Sequence, residues 1–223
     1  MRHVILFDVN ETMLDLAALD PHFEALFGDA AARREWFQQL LQSALVATVT
    51  DAYADFGAIG RAALSMVVAR RGIEAGAQPQ QELLLRMREL PPHPEVPQAL
   101  DRLRSAGFRL AALTNSTLEV AEAQLVHAGI ADRFEQILSA DTPRRIKPAA
   151  GAYRAAARAM GVPEAETRLV AAHAWDVAGA MRAGCAAAFV ARPGMVLDPL
   201  APVPDITGAD LLEVADAIIA REG

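Results

Sequence analysis

The sequence predicts an α/β fold: a doubly wound, Rossmann-like parallel sheet with a helical subdomain inserted after its first strand. Short apolar runs that end on polar residues alternate with longer segments of helical periodicity, the pattern of βαβ units. The alternation is interrupted once. From about Leu16 to Pro92 the chain carries helical periodicity alone.

Five segments are predicted to be strands. They are, in order, HVILFD (3–8), RLAALTN (109–115), the short FEQILSA (134–140), LVAAHAW (169–175) and AAFVAR (187–192). The segments other than FEQILSA are near-continuous apolar runs. Parallel strands have this composition because helices cover both of their faces.

The segments between these strands carry helical patterns that close at or near a glycine. They are PEVPQALDRLRSAG (94–107), TLEVAEAQLVHAGI (117–130), AAGAYRAAARAMGV (149–162) and VAGAMRAGC (177–185). Glycine commonly ends a helix because it adopts positive φ without strain. Each pattern therefore predicts a helix that leads back to the sheet.

The inserted segment has its clearest helical patterns in REWFQQLLQSALVATV (34–49) and FGAIGRAALSMVVARRG (56–72). The proline cluster LPPHPEVP (90–97) then returns the chain to the sheet. We assign residues 1–15 and 94–223 to an α/β core domain and residues 16–93 to a helical cap domain. Such a cap would cover the carboxyl end of the first strand, where open α/β sheets bind ligands.

The composition excludes several classes of protein. A net charge of −7 without a Lys/Arg-rich stripe argues against nucleic-acid binding. The longest apolar runs are too short to cross a membrane, and Met1 leads into a strand without a signal-peptide processing site. Cys185 is the single cysteine, so no internal disulfide forms and a cytoplasmic location is expected.

Polar residues at the ends of the predicted strands predict one functional site. They are Asp8, Thr12, Thr114, Asn115, Lys147 and Asp176. Together they supply two carboxylates, one ammonium group and several hydroxyl or amide groups. One carboxylate of such a set can be a nucleophile and the other a base or metal ligand.

Each of these residues alone also fits a structural role. Asp8 and the pair Thr114–Asn115 could cap helices. Lys147 could be a solvated loop residue, and Asp176 suits the first turn of a helix because of the helix dipole. Their order and their common position at strand ends make the combination far more specific.

Four motifs, FDVNET, LTNS, KP and HAWD, resemble in this order the motifs of the haloacid dehalogenase (HAD) superfamily, and the helical insert matches its cap. The resemblance covers nearly the whole chain. It extends to the type II L-2-haloacid dehalogenases, because SADTPRRIKPAAGAY and AWDVAGA are similar to that branch beyond the motifs. The spacing from Lys147 to Tyr153 also fits that branch.

The resemblance implies a two-step hydrolysis with Asp8 as nucleophile. Asp8 would displace halide from C2 of a 2-haloalkanoate with inversion, and water would then hydrolyse the ester to a 2-hydroxy acid. Lys147 would hold Asp8 ionised, and Asp176 would help to activate the water. Thr12 and Asn115 would position the carboxylates.

The resemblance also implies a set of substrate-binding residues. Thr114, with neighbouring backbone N–H groups, would bind the substrate carboxylate. The other residues assigned to the substrate side are Asn115, Asn10, Phe37, Tyr153 and His173.

Asn10 stands where phosphatases of the superfamily usually carry a second aspartate, which protonates the leaving oxygen. An alkoxide needs that proton in the transition state, whereas a halide does not. Asn10 therefore argues against phosphoester hydrolysis and is compatible with carbon–halogen cleavage. Some members of the superfamily nevertheless transfer phosphoryl groups without this acid.

Phe37 departs from the dehalogenase pattern. Dehalogenases carry at this position, just after a tryptophan, an arginine that pairs with the substrate and receives the halide. Arg33, Arg34 and Arg61 are near in sequence, but we expect them to be solvated surface residues. The loss of the arginine predicts weak activity on short 2-haloacids unless Arg33, Arg34 or His173 points into the site.

The fourth motif departs from the pattern as well. Ala171 and His173 replace the serine and asparagine that the family favours. His173 is either a new acid/base or halide-side donor, or a packed loop histidine.

Three functions stay open at this stage. They are a dehalogenase, a Mg²⁺-dependent phosphatase with Asp8 and Asp176 as metal ligands, and a scaffold with little activity. The dehalogenase branch works on a small molecule without a cofactor, and Mg²⁺ is the alternative. The apolar helix LLQSALVATV (40–49) predicts a homodimer through the cap, with burial against the other cap helices as the alternative.

Overall fold

The core of the molecule is a six-stranded, fully parallel sheet. The computed structural model describes residues 4–223, so residues 1–3, including the predicted start of the first strand, lie outside the described residues. The strands are β1 (Val4–Phe7), β2 (Arg109–Thr114), β3 (Gln136–Ser139), β4 (Thr167–Ala171), β5 (Ala186–Val190) and β6 (Ile206–Gly208). Their order in the sheet is β3-β2-β1-β4-β5-β6.

This strand order is that of a doubly wound sheet, and the predicted fold class is confirmed. β1 lies in the centre, where Phe7 is in register with Ala112 of β2 on one side and with Val170 of β4 on the other. The order reverses between β1 and β4. A crevice forms at the carboxyl ends of the strands at such a point, and this is where open α/β sheets bind ligands.

Nine α-helices occupy the described part of the chain. They are α1 (Asp20–Phe27), α2 (Ala32–Val49), α3 (Phe56–Arg70), α4 (Ala77–Leu85), α5 (Val96–Ser105), α6 (Leu118–His127), α7 (Ala150–Ala159), α8 (Ala174–Arg182) and α9 (Leu211–Glu222). None of the helices in residues 4–223 is long and apolar enough to span a bilayer.

The inserted segment is helical, as predicted. Residues 16–93, all of which the structure describes, contain α1–α4 and two short 3-10 helices, and none of the sheet strands lies among them. Trp36 of α2 is buried, and its indole N–H donates to the carbonyl oxygen of Gly60 in α3 at 3.0 Å. A Cβ atom at position 60 would lie 3.2 Å from Leu40 Cδ1, so glycine permits this close contact between α2 and α3.

The two segments that join the insert to the core lie side by side. The backbone N–H of His93 donates to the Met13 carbonyl oxygen, and that of Asp15 donates to the Pro91 carbonyl oxygen, both at 2.9 Å. One continuous apolar cluster extends from the sheet into the insert and includes Phe7 and Trp36. The division into a core and a cap domain at residues 15 and 94 stays a prediction.

The predicted limits of the fourth strand were wrong. LVAAHAW was expected to be extended throughout, but β4 begins at Thr167 and ends at Ala171, and α8 begins at Ala174. The apolar pattern missed the start of β4 because Thr167 and Arg168 are polar. Both are nevertheless fully buried, because Thr167 donates to the Glu164 carbonyl oxygen and the Arg168 guanidinium bonds acidic side chains.

Two elements near the end of the chain were not predicted. β6 has only three residues, too few for an apolar run to be recognised. α9 did carry a sequence signal: Asp210 stands at its N-cap and accepts the backbone N–H of Glu213 at 2.9 Å.

Candidate active site

The predicted site residues follow the central strands of the sheet. Asp8 comes directly after β1, and its backbone N–H still donates to the Val170 carbonyl oxygen of β4 at 3.0 Å. Thr114 is the last residue of β2, and Asp176 lies in the first turn of α8, just after β4. All three are buried, and the topology brings them from distant parts of the sequence to the same edge of the sheet.

The Lys147 ammonium group joins the two carboxylates. Lys147 Nζ donates to Asp8 Oδ1 at 2.9 Å, to Asp176 Oδ2 at 2.6 Å and to the Leu113 carbonyl oxygen at 2.9 Å. Lys147 is 2% exposed and Asp176 is 0% exposed. The three protons of the ammonium group therefore each have an acceptor, in a place that excludes water.

The protonation states follow from burial and charge. Burial alone would lower the pKa of Lys147, but the carboxylates of Asp176 and Asp8 outweigh it and raise that pKa. Burial would raise the pKa of Asp8, but Lys147, His173 and Thr12 hold it well below its ordinary value. Burial and the Asp8 charge raise the pKa of Asp176. Asp8 is thus the more strongly ionised of the two carboxylates.

Thr12 fixes the orientation of the Asp8 carboxylate. Its hydroxyl donates to Asp8 Oδ2 at 2.6 Å and accepts the backbone N–H of Ala172 at 2.9 Å. Asn115 acts on the other side of the carboxylate, through Lys147. Its Oδ1 accepts the backbone N–H of Lys147 at 2.8 Å, and its Nδ2 donates to the Lys147 carbonyl oxygen at 3.3 Å.

Tyr153 lies beside Asp176. Its hydroxyl donates to Asp176 Oδ1 at 2.5 Å, and burial followed by the Asp176 charge raises the pKa of Tyr153 well above 10. Both oxygens of the Asp176 carboxylate are therefore bonded, one to Tyr153 and the other to Lys147. These contacts suit a group that holds Lys147 in place, and the predicted role of Asp176 in activating water finds no support in them.

Asn10 and Thr114 lie in a neighbouring polar cluster. Asn10 Nδ2 donates to Ser116 Oγ at 3.3 Å, and Asn10 Oδ1 accepts from Gln124 Nε2 at 3.0 Å. The Ser116 backbone N–H donates to the Thr114 hydroxyl oxygen at 3.2 Å. Asn10 thus has the contacts of a neutral hydrogen-bonding residue.

His173 contacts the Asp8 carboxylate. Its Nδ1 lies 3.2 Å from Asp8 Oδ2, and its Nε2 lies 2.9 Å from Glu11 Oε2. Burial alone would lower the pKa of His173, but the bonds to Asp8 and Glu11 outweigh it and raise that pKa to about 9. His173 is therefore an imidazolium between two carboxylates at neutral pH.

Glu11 and Arg33 extend this charge chain to the helical insert. Arg33 Nη1 lies 3.7 Å from Glu11 Oε1, and Arg33 Nε bonds Asp20. Arg33 is 5% exposed, so the expectation of a solvated surface residue was wrong for it, whereas Arg34 and Arg61 are exposed as expected. The buried position of Arg33 depends on these two acidic partners.

Glu11 was not among the residues predicted for the site. It has a φ of 61°, a left-handed conformation that is uncommon for a residue other than glycine. Its partners come from β4–α8 and α2 and are therefore not visible as a local pattern. The only available signal was its position inside the FDVNET motif.

Phe37 forms an apolar wall beside His173. The Phe37 ring centroid lies 6.1 Å from that of His173, and the Trp175 ring stacks on His173 with the centroids 5.1 Å apart. Lys147 Nζ lies 6.0 Å from the Trp175 centroid. The indole Nε1 of Trp175 is buried and has no hydrogen-bond partner among residues 4–223.

The residues present do not fit a magnesium site. Mg²⁺ needs about six oxygen ligands in near-octahedral geometry. Here the Lys147 ammonium group lies between the carboxylates of Asp8 and Asp176, which would be the ligands. In the described range, 4–223, no cluster of three or more His, Cys, Asp or Glu side chains is placed to hold a metal ion.

Two dehalogenases have sequences similar to this chain. The chain is 30% identical over 184 residues to a haloacetate dehalogenase of Moraxella sp. (strain B), covering 82% of this chain and 80% of that protein. It is 27% identical over 221 residues to an (S)-2-haloacid dehalogenase of Pseudomonas sp. (strain YL). This match covers 98% of this chain and 95% of that protein.

A solved structure of an L-2-haloacid dehalogenase from Xanthobacter autotrophicus, with chloropropionic acid covalently bound, has the same fold. The TM-score is 0.93 at 23% identity, and 100% of each chain is covered. Residues 3–184 match the family of haloacid dehalogenase-like hydrolases. The chain belongs to this family.

Proposed function

We propose that the protein is a 2-haloacid dehalogenase-like hydrolase that cleaves a carbon–halogen bond through an ester on Asp8. The observation that carries the proposal is the buried Lys147 ammonium group, which bonds Asp8 and Asp176 in a site where Asn10 stands in place of a leaving-group acid. The curated relatives named above are dehalogenases of haloacetate and of (S)-2-haloacids.

In the first step, an oxygen of the Asp8 carboxylate attacks C2 of the substrate and the halide leaves with the bonding electrons. Lys147, Thr12 and His173 hold that carboxylate ionised and in one orientation. A positioned nucleophile gains rate because the reacting atoms are already together. No proton has to reach the leaving group, so the amide of Asn10 is sufficient at its position.

In the second step, water attacks the Asp8 carboxyl carbon. The ester bond breaks, the 2-hydroxy acid leaves and a proton is released. Lys147 Nζ lies 2.9 Å from Asp8 Oδ1 and can stabilise the negative charge that develops on the carboxyl oxygen.

We propose that no metal takes part, since Lys147 supplies the positive charge that Mg²⁺ would otherwise bring to the two carboxylates. A small molecule is the expected substrate. The cytoplasmic location, predicted from the single cysteine, stays a prediction.

The experiment measures halide release from 2-chloropropionate at high concentration and phosphate release from a panel of phosphoesters, each with and without EDTA. We expect halide release that EDTA leaves unchanged and that Asp8→Asn abolishes. Asp132→Asn, at an exposed aspartate, is the matched control and should behave as wild type. Phosphate release that EDTA abolishes would contradict the proposal and favour the phosphatase.

A further inference from the structure

We propose that the site prefers an electrically neutral substrate, a 2-haloamide, over the anion of a 2-haloacid. The inference rests on the proposed chemistry of Asp8 and concerns the charge of the group next to the reacting carbon. The reaction is the same: Asp8 displaces halide from C2, water hydrolyses the ester, and a 2-hydroxyamide, a halide ion and a proton are formed.

The first reason is that Lys147 has no donor left for a substrate. Its three ammonium protons are directed to Asp8, Asp176 and the Leu113 carbonyl oxygen. A substrate carboxylate could bind Lys147 only by replacing one of these acceptors, and two of them belong to the catalytic pair.

The second reason is that both nitrogens of His173 are engaged. Nδ1 bonds Asp8 and Nε2 bonds Glu11. A substrate carboxylate at Nε2 would exchange one carboxylate for another and leave Glu11 without this partner. Binding would therefore gain little attraction and would add repulsion from Glu11.

The third reason is that Arg33, the buried guanidinium of the insert, is bonded to Glu11 and Asp20. Arg192 pairs with the Glu95 carboxylate at 2.6 Å and donates to the Thr12 carbonyl oxygen. Each cation that the structure places against this cluster thus already has an acidic partner. An added carboxylate would gain no ion pair with a free cation and would lie near the carboxylates of Asp8 and Glu11, so only neutral donors such as the Thr114 hydroxyl could compensate its charge.

The remaining wall suits a neutral group. Phe37 and Trp175 both place aromatic rings next to the His173 ring. The free indole N–H of Trp175 is a neutral donor, and a hydrogen bond from it would satisfy an amide carbonyl oxygen. An amide therefore loses far less than a carboxylate when it leaves water for this site.

The test compares halide release from 2-chloropropionamide and 2-chloropropionate under identical conditions. Each kcat/KM is divided by the rate of the same compound with acetate in solution, because the two differ in intrinsic reactivity. We expect the normalised value for the amide to exceed that for the acid by at least about tenfold, the effect of about one uncompensated interaction in a buried site. Propionamide should also inhibit more strongly than propionate.

Two variants test the cause. Phe37→Arg adds a cation at the apolar wall and should move the preference towards the acid, whereas Gln38→Arg adds the same charge at the exposed neighbouring position and should not. Glu11→Gln frees one nitrogen of His173 and should also favour the acid. This second variant tests the inference even if Phe37→Arg does not fold.

The outcomes separate the inference from the proposed function. An equal or higher normalised rate on the acid, with an ester detected on Asp8 by mass spectrometry, would overturn the preference and leave the Asp8 chemistry intact. An unchanged preference in folded Phe37→Arg and Glu11→Gln would also overturn the explanation by charge. No halide from either compound and no adduct on Asp8 would mean that the proposed function itself is wrong, and the inference would fail with it.

Discussion

Replacing Lys147 with methionine removes the ammonium group from the site and keeps a side chain of similar length. Lys147 is the only lysine of the chain, so no other lysine can move in to replace it. The change leaves the Asp8 and Asp176 carboxylates facing each other without their shared partner. Their side chains are 7% and 0% exposed, so water cannot take the place of the ammonium group.

The magnitude follows from the two broken ion pairs. Removing one partner of a buried pair costs about 3–5 kcal/mol, because an unpaired charge is left in a poorly solvated place. Part of this is relieved when a carboxylate takes up a proton, and Asp176 is the one to do so because burial already raises its pKa. The loss in the free energy of unfolding should therefore be about 3–5 kcal/mol at about pH 8 and smaller at about pH 5.

The assay is urea unfolding of wild type and variant at both pH values, together with halide release. Arg109→Met is the matched control, because it breaks an exposed ion pair with Glu135 at 2.6 Å. That control should cost less than about 1 kcal/mol at either pH. Activity should disappear in Lys147→Met and stay unchanged in Arg109→Met.

A loss below about 1 kcal/mol in Lys147→Met, independent of pH, would show that the two carboxylates do not depend on the ammonium group. Retained halide release would refute the assigned role of Lys147 directly.

Three further predictions follow from neighbouring residues. The pKa of His173 is raised from 6.5 to about 9 in the folded protein, so its contribution to stability is complete below pH 6.5 and is lost as the pH rises through about 9. The free energy of unfolding, measured across this pH range, should therefore fall as the pH rises, and His173→Asn should abolish this fall. Glu11→Gln should lower the pKa of His173, measured by NMR titration, and an unchanged pKa would contradict the bond between them. Gly179→Ala should lower stability and activity together, because its added carbon would lie 2.5 Å from Pro148 and 2.6 Å from the Tyr153 hydroxyl, and wild-type values for both would refute this packing.

The homodimer through the cap stays a prediction. Apolar side chains of α2, among them Leu45, Val46 and Val49, are exposed in the single chain. Sedimentation should give twice the mass of the 23.8 kDa chain, and a monomer at micromolar concentration would contradict it.

The position of the main site groups was predictable because it depends on strand ends. Asp8 and Thr114 come directly after or at the end of apolar runs, and the carboxyl ends of parallel strands share one edge of the sheet. The chain order of the motifs then placed Lys147 and Asp176 beside them. The inferences for Asp8 and Thr114 needed only the period of the apolar pattern and the topology of a doubly wound sheet, whereas those for Lys147 and Asp176 came from the resemblance of the motifs to the HAD superfamily.

The surroundings of the site were not predictable in the same way. The burial of Arg33 depends on Glu11 and Asp20, two partners that lie 22 and 13 residues earlier in the chain. The early start of β4 depends on Arg168, which is buried in a strand because acidic side chains from the end of the chain reach it. Local patterns do not contain such tertiary contacts.

The central claim is that Asp8 becomes an ester during turnover. Single-turnover reaction of excess enzyme in water labelled with the heavy oxygen isotope, followed by mass spectrometry of the peptide that carries Asp8, tests it most directly. The proposed mechanism predicts that the label enters the Asp8 carboxylate, because water attacks the carboxyl carbon. Label in the product alone, with none in the Asp8 peptide, would show that water attacks the substrate directly and would contradict the mechanism.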